Sequence, residues 1–316
     1  MAYAKKDLIS TKDLSKEDIL DFLNDAKKFK KINLQNVKKL DFLRGVTSIN
    51  AFFENSTRTR TSFEIAAKRL SADAINFTAN SSSTAKGETL IDTIANIAAM
   101  QSDIFVLRHA SSGAAAFVAR ECDSCVVNAG DGCNEHPTQA LLDLMTIYER
   151  FGSFSGLKVA IIGDIFHSRV ARSNIYAMQT LGIEVVLFGP PMFMQNAEVF
   201  GCKIASSMKE ALEGADAVIM LRIQLERQNG EVAFPSVREY SKFFGLTRAK
   251  TQFLKEGAIV LHPGPINRGV ELNSDVADDP RISVILEQVQ NGLAVRMAVL
   301  SKVYANLKGV KLQIED

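Results

Sequence analysis

The sequence predicts an α/β protein of two doubly wound domains, each a parallel β-sheet flanked by helices. Three observations carry this. Short apolar runs of strand length alternate with amphipathic stretches of helical period along most of the chain, the pattern of parallel sheets covered on both faces. The alternation breaks near residue 151, at the glycine- and serine-rich segment FGSFSG, and then starts again. The length, 316 residues, suits about two domains at roughly 150 residues each. Each can bury a core of ordinary size without disulfides or a structural metal.

The elements follow in order. Residues 15–31 open with SKED, a capping-box pattern, ahead of Ile19, Leu20, Phe22, Leu23 and Ala26 at helical spacing. VTSINAFF (46–53) reads as a strand; it ends at ENSTRTR, and a helix carrying Phe63, Ala66, Ala67 and Leu70 follows. DAINFTA (73–79) is a second strand, NSSSTAKGE (80–88) a polar stretch, and Leu90, Ile91, Ile94, Ile97 and Ala98 the stripe of another helix. DIFVLRH (103–109) and CVVNAG (125–130) are short apolar runs suited to buried parallel strands. Leu141, Leu144, Met145 and Tyr148 mark the next helix. After the break, LKVAIIGD (157–164) is a buried strand and 168–181 a helix. IEVVLFGP, ADAVIMLRI and GAIVLHPGP supply three more strands, with helical segments between some of them, and 285–307 is one long amphipathic helix.

Composition excludes several functions. Lys plus Arg is 37 against 36 for Asp plus Glu, a net charge of +1. That balance disfavours a nucleic-acid binder, whose affinity comes largely from neutralising phosphates, while leaving room for a local basic pocket. No apolar run approaches the roughly 18 residues of a membrane-spanning helix. The opening MAYAKKDLIS lacks the apolar core of a signal peptide, so a cytoplasmic location is expected. There the four cysteines are expected as free thiols. Cys122, Cys125, Cys133 and His136 have the spacing of a Cys3His zinc site. However, the apolar run VVNAGDG separates the two halves and His136 has a better use, so buried or half-buried thiols and no metal are expected.

The chemistry concentrates in three segments. In FFENSTRTRTSFE (52–64) a strand ends and a helix begins at Ser56, Thr57, Arg58 and Thr59. Helix-start amides, a partial positive charge, hydroxyls and a planar guanidinium make an anion cradle. The glycines of a nucleotide P-loop are absent. Simple N-capping explains one hydroxyl but not two arginines among three hydroxyls in five residues. Arg108 follows a strand, and open parallel sheets bind ligands beyond the carboxyl ends of their strands. In GDGCNEHPTQALLD (130–143), His136 and Gln139 lie three apart at a helix start and share a face. The histidine suits a developing oxyanion and the glutamine an amide.

S-T-R-T-R after a phenylalanine-rich strand, then R-H, H-P-T-Q and H-P-x-P, resembles the transcarbamoylase family along nearly the whole chain. The resemblance implies transfer of a carbamoyl group from carbamoyl phosphate to an amine, without a cofactor. It implies that Ser56, Thr57, Arg58 and Thr59 hold phosphate, and that Thr59, Arg108 and His136 reach the carbamoyl oxygen while Gln139 reads the amide. SSSTAKGET fits the family's mobile loop, which serves the neighbouring subunit's active site through the positions of Ser82 and Lys86. Ala85 stands where some relatives have another lysine. Arg169, Arg222 and Gln224 match positions that bind aspartate, a dianion needing fixed cations. HPGPINRG (262–269) resembles a loop whose backbone carbonyls, around Gly264 and Pro265, accept from the carbamoyl amide. Pro263 and Pro265 stiffen it, and Gly264 stands where some relatives have leucine.

The expected domains are therefore 1–150 plus 286–316 for carbamoyl phosphate, the last helix returning to the first domain, and 151–285 for aspartate. The expected reaction yields N-carbamoyl-L-aspartate and phosphate, an early step of de novo pyrimidine biosynthesis. Members are built on homotrimers with shared active sites; some stand alone, others join regulatory chains or dihydroorotase, and both arrangements fit this sequence. The ornithine-using branch is expected to carry H-C-L-P and S-M-G segments, and neither occurs here. A dinucleotide-binding oxidoreductase fails on its fingerprint, since Gly163 is followed by DIFHSR with no second glycine. A non-catalytic assembly subunit is disfavoured because every expected substrate position is filled.

Overall fold

The computed structural model describes residues 3–78, 88–223, 236–311 and 314. The chain packs as two compact units, Met1–Leu142 with Gln290–Asp316, and Asp143–Val289.

The first unit contains α1 (Lys16–Asn33), β1 (Thr47–Phe52), α2 (Thr57–Arg69), β2 (Asp73–Thr78), α3 (Leu90–Ala98), β3 (Ile104–His109), α4 (Ala114–Glu121) and β4 (Cys125–Asp131). The SKED pattern is realised as a capping box: Ser15 Oγ accepts from the Asp18 amide, and the Asp18 carboxylate accepts from the Ser15 amide. Parallel pairing in the order β2-β1-β3-β4 requires crossover connections, and the intervening helices supply them. One sheet face buries Ile49, Ala51, Phe105, Leu107 and Val126 against Ile94, Ala115 and Val118. Segment 7–11 also joins this sheet, through a parallel bridge between Leu8 and Val127.

Helix α5 (Pro137–Phe151) leads into the second unit. There follow β5 (Lys158–Ile162), α6 (Arg169–Thr180), β6 (Glu184–Phe188), β7 (Lys203–Ile204), α7 (Met208–Leu212), β8 (Ala217–Met220), α8 (Val237–Phe244), β9 (Ile259–Leu261) and α9 (Ser274–Ala277). The strands pair in parallel in the order β7-β6-β5-β8-β9. Their core includes Ala160, Ile162, Val186, Val218, Met220 and Val260, packed with Met208, Leu212, Leu246 and Leu272. The long helix α10 (Ile285–Lys308) ends among the residues of the first unit. Among the described residues, no helix is long and apolar enough to cross a membrane.

In both sheets the strand order reverses once. In the first, β1 leads to β2 on one side and β3 on the other; in the second, β5 leads to β6 and β8. Such reversals open a crevice at the carboxyl ends of the two central strands, where doubly wound proteins bind ligands.

Candidate active site

The cradle lies at the first reversal. β1 ends at Phe52, whose Cα partner on β3 is Arg108, and α2 begins five residues later. Ser56 occupies the N-cap position but makes no capping hydrogen bond, and the first turn of α2 holds no acidic residue. This departs from the helices capped by Ser15, Thr89, Ser168, Ser207 and Ser236, each of which accepts the amide three residues on. Side-chain capping is worth about 1 kcal/mol. At α2 it is forgone, so the positive end of the helix is not neutralised from within. Thr57 and Arg58 are exposed there, Ser56 is half-buried and Thr59 is buried.

Arg108 is held from two sides. Its guanidinium donates to the Ala129 carbonyl at 3.2 Å and lies 3.6 Å from the Glu54 carboxylate. These contacts aim a half-buried cation along the strand ends. Its neighbour His109 accepts the Ser111 amide at Nδ1, 2.9 Å. Burial lowers the pKa of His109, so the arginine is the cation of this pair near neutral pH.

The loop at 131–136 follows β4 on the adjacent strand and presents His136. Asp131, 1% exposed, organises it by accepting from the Glu135 amide (3.1 Å), the Asn128 side chain (2.8 Å) and the Gly113 amide (2.7 Å). Gly132 has φ +48°, and a Cβ there would lie 2.4 Å from Ser112 Oγ and 2.5 Å from the Ser112 amide nitrogen. Only glycine lets the loop approach this closely. His136 and Gln139 are both buried at the start of α5, and the His136 carbonyl accepts the Gln139 amide at 2.9 Å. The first unit thus gathers an uncapped helix start, an arginine and a histidine–glutamine pair at the ends of β1, β3 and β4. That set suits an anion attached to a polarisable carbonyl and an amide. Sequence reasoning missed Asp131 and Glu135, whose importance lies in bonds to residues distant along the chain.

In the second unit, Arg169 and Arg222 follow β5 and β8, the two strands of the second reversal. Arg169 opens α6 behind the Ser168 cap and is 3% exposed. Asp164, also buried, accepts the His167 amide and pairs with its ring at 3.0 Å, shaping the turn into α6. Arg222 comes two residues after β8, whose continuation is tied to β5 by the Leu221 amide donating to the Ile162 carbonyl.

The HPGP segment follows β9, next to β8. His262 Nδ1 accepts the Gly264 amide at 2.8 Å, so Nε2 carries the proton donated to Glu271, 3.0 Å away. The His262 amide donates to Gln288, Gln288 to Asp143, and Asn174 of α6 to the same Asp143 carboxylate. This buried relay holds Gly264 and Pro265, joined by a cis peptide bond, relative to the helix that begins with Arg169. Ser82, Lys86 and Gln224 lie outside the described residues.

The cysteines are all free. Cys125 is buried in β4, its thiol donating to the Val303 carbonyl. Burial pushes its pKa up to about 12, which disfavours the thiolate that zinc requires. Among the described residues, no group of three or more His, Cys, Asp and Glu side chains forms a metal site.

Comparison with known proteins places the chain in a family. Residues 6–149 match the family model described as the carbamoyl-P binding domain of aspartate/ornithine carbamoyltransferase, and residues 155–303 match the corresponding Asp/Orn binding domain. The chain is 74% identical over 306 residues to the aspartate carbamoyltransferase catalytic subunit of Campylobacter fetus subsp. fetus, covering 97% of this chain and 99% of that one. It is 55% identical to the catalytic subunit of Syntrophotalea carbinolica, covering 95% and 96%. Among solved structures it resembles Trypanosoma cruzi aspartate transcarbamoylase in complex with carbamoyl phosphate and aspartate, with a TM-score of 0.82, 30% identity and coverage of 94% and 96%. Ornithine carbamoyltransferase from Pyrococcus furiosus is alike to the same degree, with a TM-score of 0.81, 30% identity and coverage of 98% of each chain. The fold is therefore common to both branches, and the chain belongs to the aspartate/ornithine carbamoyltransferase family.

Proposed function

We propose that the chain transfers the carbamoyl group of carbamoyl phosphate to L-aspartate, giving N-carbamoyl-L-aspartate and phosphate. The observation that carries this reading is the uncapped, acid-free start of α2 beside Arg108 at the reversal between β1 and β3. The choice of aspartate rests on Arg169 and Arg222 at the second reversal, and on high identity to chains named as aspartate enzymes.

In the proposed mechanism, Ser56, Thr57, Arg58 and Thr59 hold the phosphate. The neutral α-amine of aspartate attacks the carbonyl carbon, and negative charge collects on the carbamoyl oxygen. Thr59, Arg108 and His136 donate to that oxygen as the charge develops, while Gln139 and the backbone at Gly264 and Pro265 orient the amide. The bond from carbon to the phosphate oxygen then breaks. Phosphate leaves into the cradle and takes the amine proton, so no protein base and no cofactor is required. Arg169, Arg222 and Gln224 bind the two carboxylates of aspartate.

In the same reading, 1–150 plus 286–316 serve carbamoyl phosphate and 151–285 serve aspartate. The chain works as a cytoplasmic homotrimer, in which Ser82 and Lys86 complete a neighbour's site, and it supplies a step of pyrimidine synthesis. Regulatory chains or dihydroorotase are the candidate further partners, because its relatives are named as catalytic subunits. The experiment is direct: purified protein given carbamoyl phosphate and L-aspartate should release carbamoyl-aspartate and phosphate in equal amounts. Release of phosphate alone would reject the transfer.

A further inference from the structure

We propose that Glu135 is a positioning residue for this reaction, and that segment 7–11 sets His136 through it; the inference rests on the function proposed above. The loop at 131–136 is clamped on two sides. On one side the Gly113 amide donates to Asp131, and the Cys133 amide donates to Ser112 Oγ at 3.1 Å. On the other, the Glu135 carboxylate accepts from the Thr11 amide (2.8 Å), Thr11 Oγ1 (2.6 Å) and Ser10 Oγ (2.5 Å). Glu135 is only 3% exposed. A carboxylate so far from water is tolerable only when its oxygens are bonded, and here two consecutive residues supply three donors.

Segment 7–11 is itself in register with β4. The Leu8 amide donates to the Val126 carbonyl and the Asn128 amide to the Leu8 carbonyl, both at 2.9 Å. The Val126 amide donates to Asp7, and the Asn128 side chain to the Ile9 carbonyl. The segment is thus an added edge of the sheet whose strand ends carry Arg108 and His136. Glu135 is where the loop's internal closure meets this edge: its own amide and carbonyl pair with Asp131 while its carboxylate is tied to residues 10 and 11. The next residue is His136, and the one after it is Pro137, whose ring fixes the backbone on the other side. Releasing the carboxylate unties this flank of His136 from the sheet edge and leaves it held by the Asp131 pairing alone.

The carbamoyl oxygen needs its donor in place only as charge develops, whereas the cradle at α2 is built without this loop. Loss of Glu135 should therefore reduce kcat and largely spare the KM for carbamoyl phosphate. The variants are Glu135→Ala, Glu135→Gln, Thr11→Val, His136→Ala and the double variant Glu135→Ala/His136→Ala, assayed with thermal midpoints alongside. Glu135→Ala should lower kcat about 10- to 100-fold, the scale of a misplaced catalytic group. Glu135→Gln, whose amide oxygen still accepts from Thr11, should keep most of the rate. In the His136→Ala background, Glu135→Ala should add less than about a twofold loss, because the two act as one unit.

An unchanged kcat in Glu135→Ala, or the same fold-loss with His136 already removed, would overturn the proposal. If Glu135→Ala does not fold, Thr11→Val carries the test. It removes one donor while keeping shape and backbone, and it must lower kcat without moving the KM for carbamoyl phosphate. Absence of carbamoyl-aspartate formation by the wild-type protein would instead reject the function on which the proposal rests.

Discussion

Arg58 stands exposed in the first turn of α2 beside the buried Thr59, and an exposed guanidinium at an uncapped helix start has phosphate as its natural partner. Arg58→Ala should cut turnover at least about 100-fold, the scale of losing one preorganised donor; retention of most of the rate in a steady-state assay would remove it from the site. His136→Ala should lower kcat about 10²- to 10³-fold and weaken aspartate binding less, because its bond strengthens only as the oxyanion forms. A defect confined to KM would contradict that role. Arg58 stood out in the sequence because cations and hydroxyls crowd together at the end of an apolar run, a pattern that capping alone does not explain, and His136 stood out by its spacing to Gln139 at a helix start and by the family resemblance. Asp131 and Glu135 did not. A single carboxylate in a loop reads as solvated, and their partners, Gly113, Ser10 and Thr11, lie 18 to 125 positions away.

At the scale of elements, the sequence foretold every described strand except β7 and the helices that follow the strong stripes. Ser168 and Leu181, the expected limits of one helix, are the caps of α6. Helix α4 went unread because its eight residues follow an N-cap, Gly113, in a left-handed conformation with no side-chain cap, which removes the usual start signal. The two-residue β7 is too short to show any period. The loop between β4 and α5 is the element on which His136 depends, and Gly132 is its tightest point. Gly132→Ala requires a left-handed alanine and drives Cβ into Ser112 backbone, so it should cost about 1–3 kcal/mol and reduce kcat as well. Urea unfolding with an unchanged midpoint would show that the loop can relax, contrary to this account.

For the whole molecule, the restart of the alternating pattern near residue 151 revealed two sheets. It could not reveal strand order, because that depends on pairings between distant segments, such as β5 with β8. Assembly is tested by hybrid trimers of Arg58→Ala and Lys86→Ala chains, mixed in equal amounts. If Lys86 serves its neighbour, about three quarters of trimers are mixed and each has one intact site in three, so activity recovers to about a quarter of wild type. No recovery in confirmed hybrids would place Lys86 in its own chain's site or in none. In the proposed reading the choice of amino acid falls to the second unit, since carbamoyl phosphate is the first substrate for either branch. The most direct test is kcat/KM for L-aspartate and for L-ornithine, measured with saturating carbamoyl phosphate on the same preparation. Aspartate should be favoured by at least about 10³-fold, as for a site where an ornithine ammonium would meet the buried Arg169 and the half-buried Arg222. Equal or better use of ornithine would contradict it.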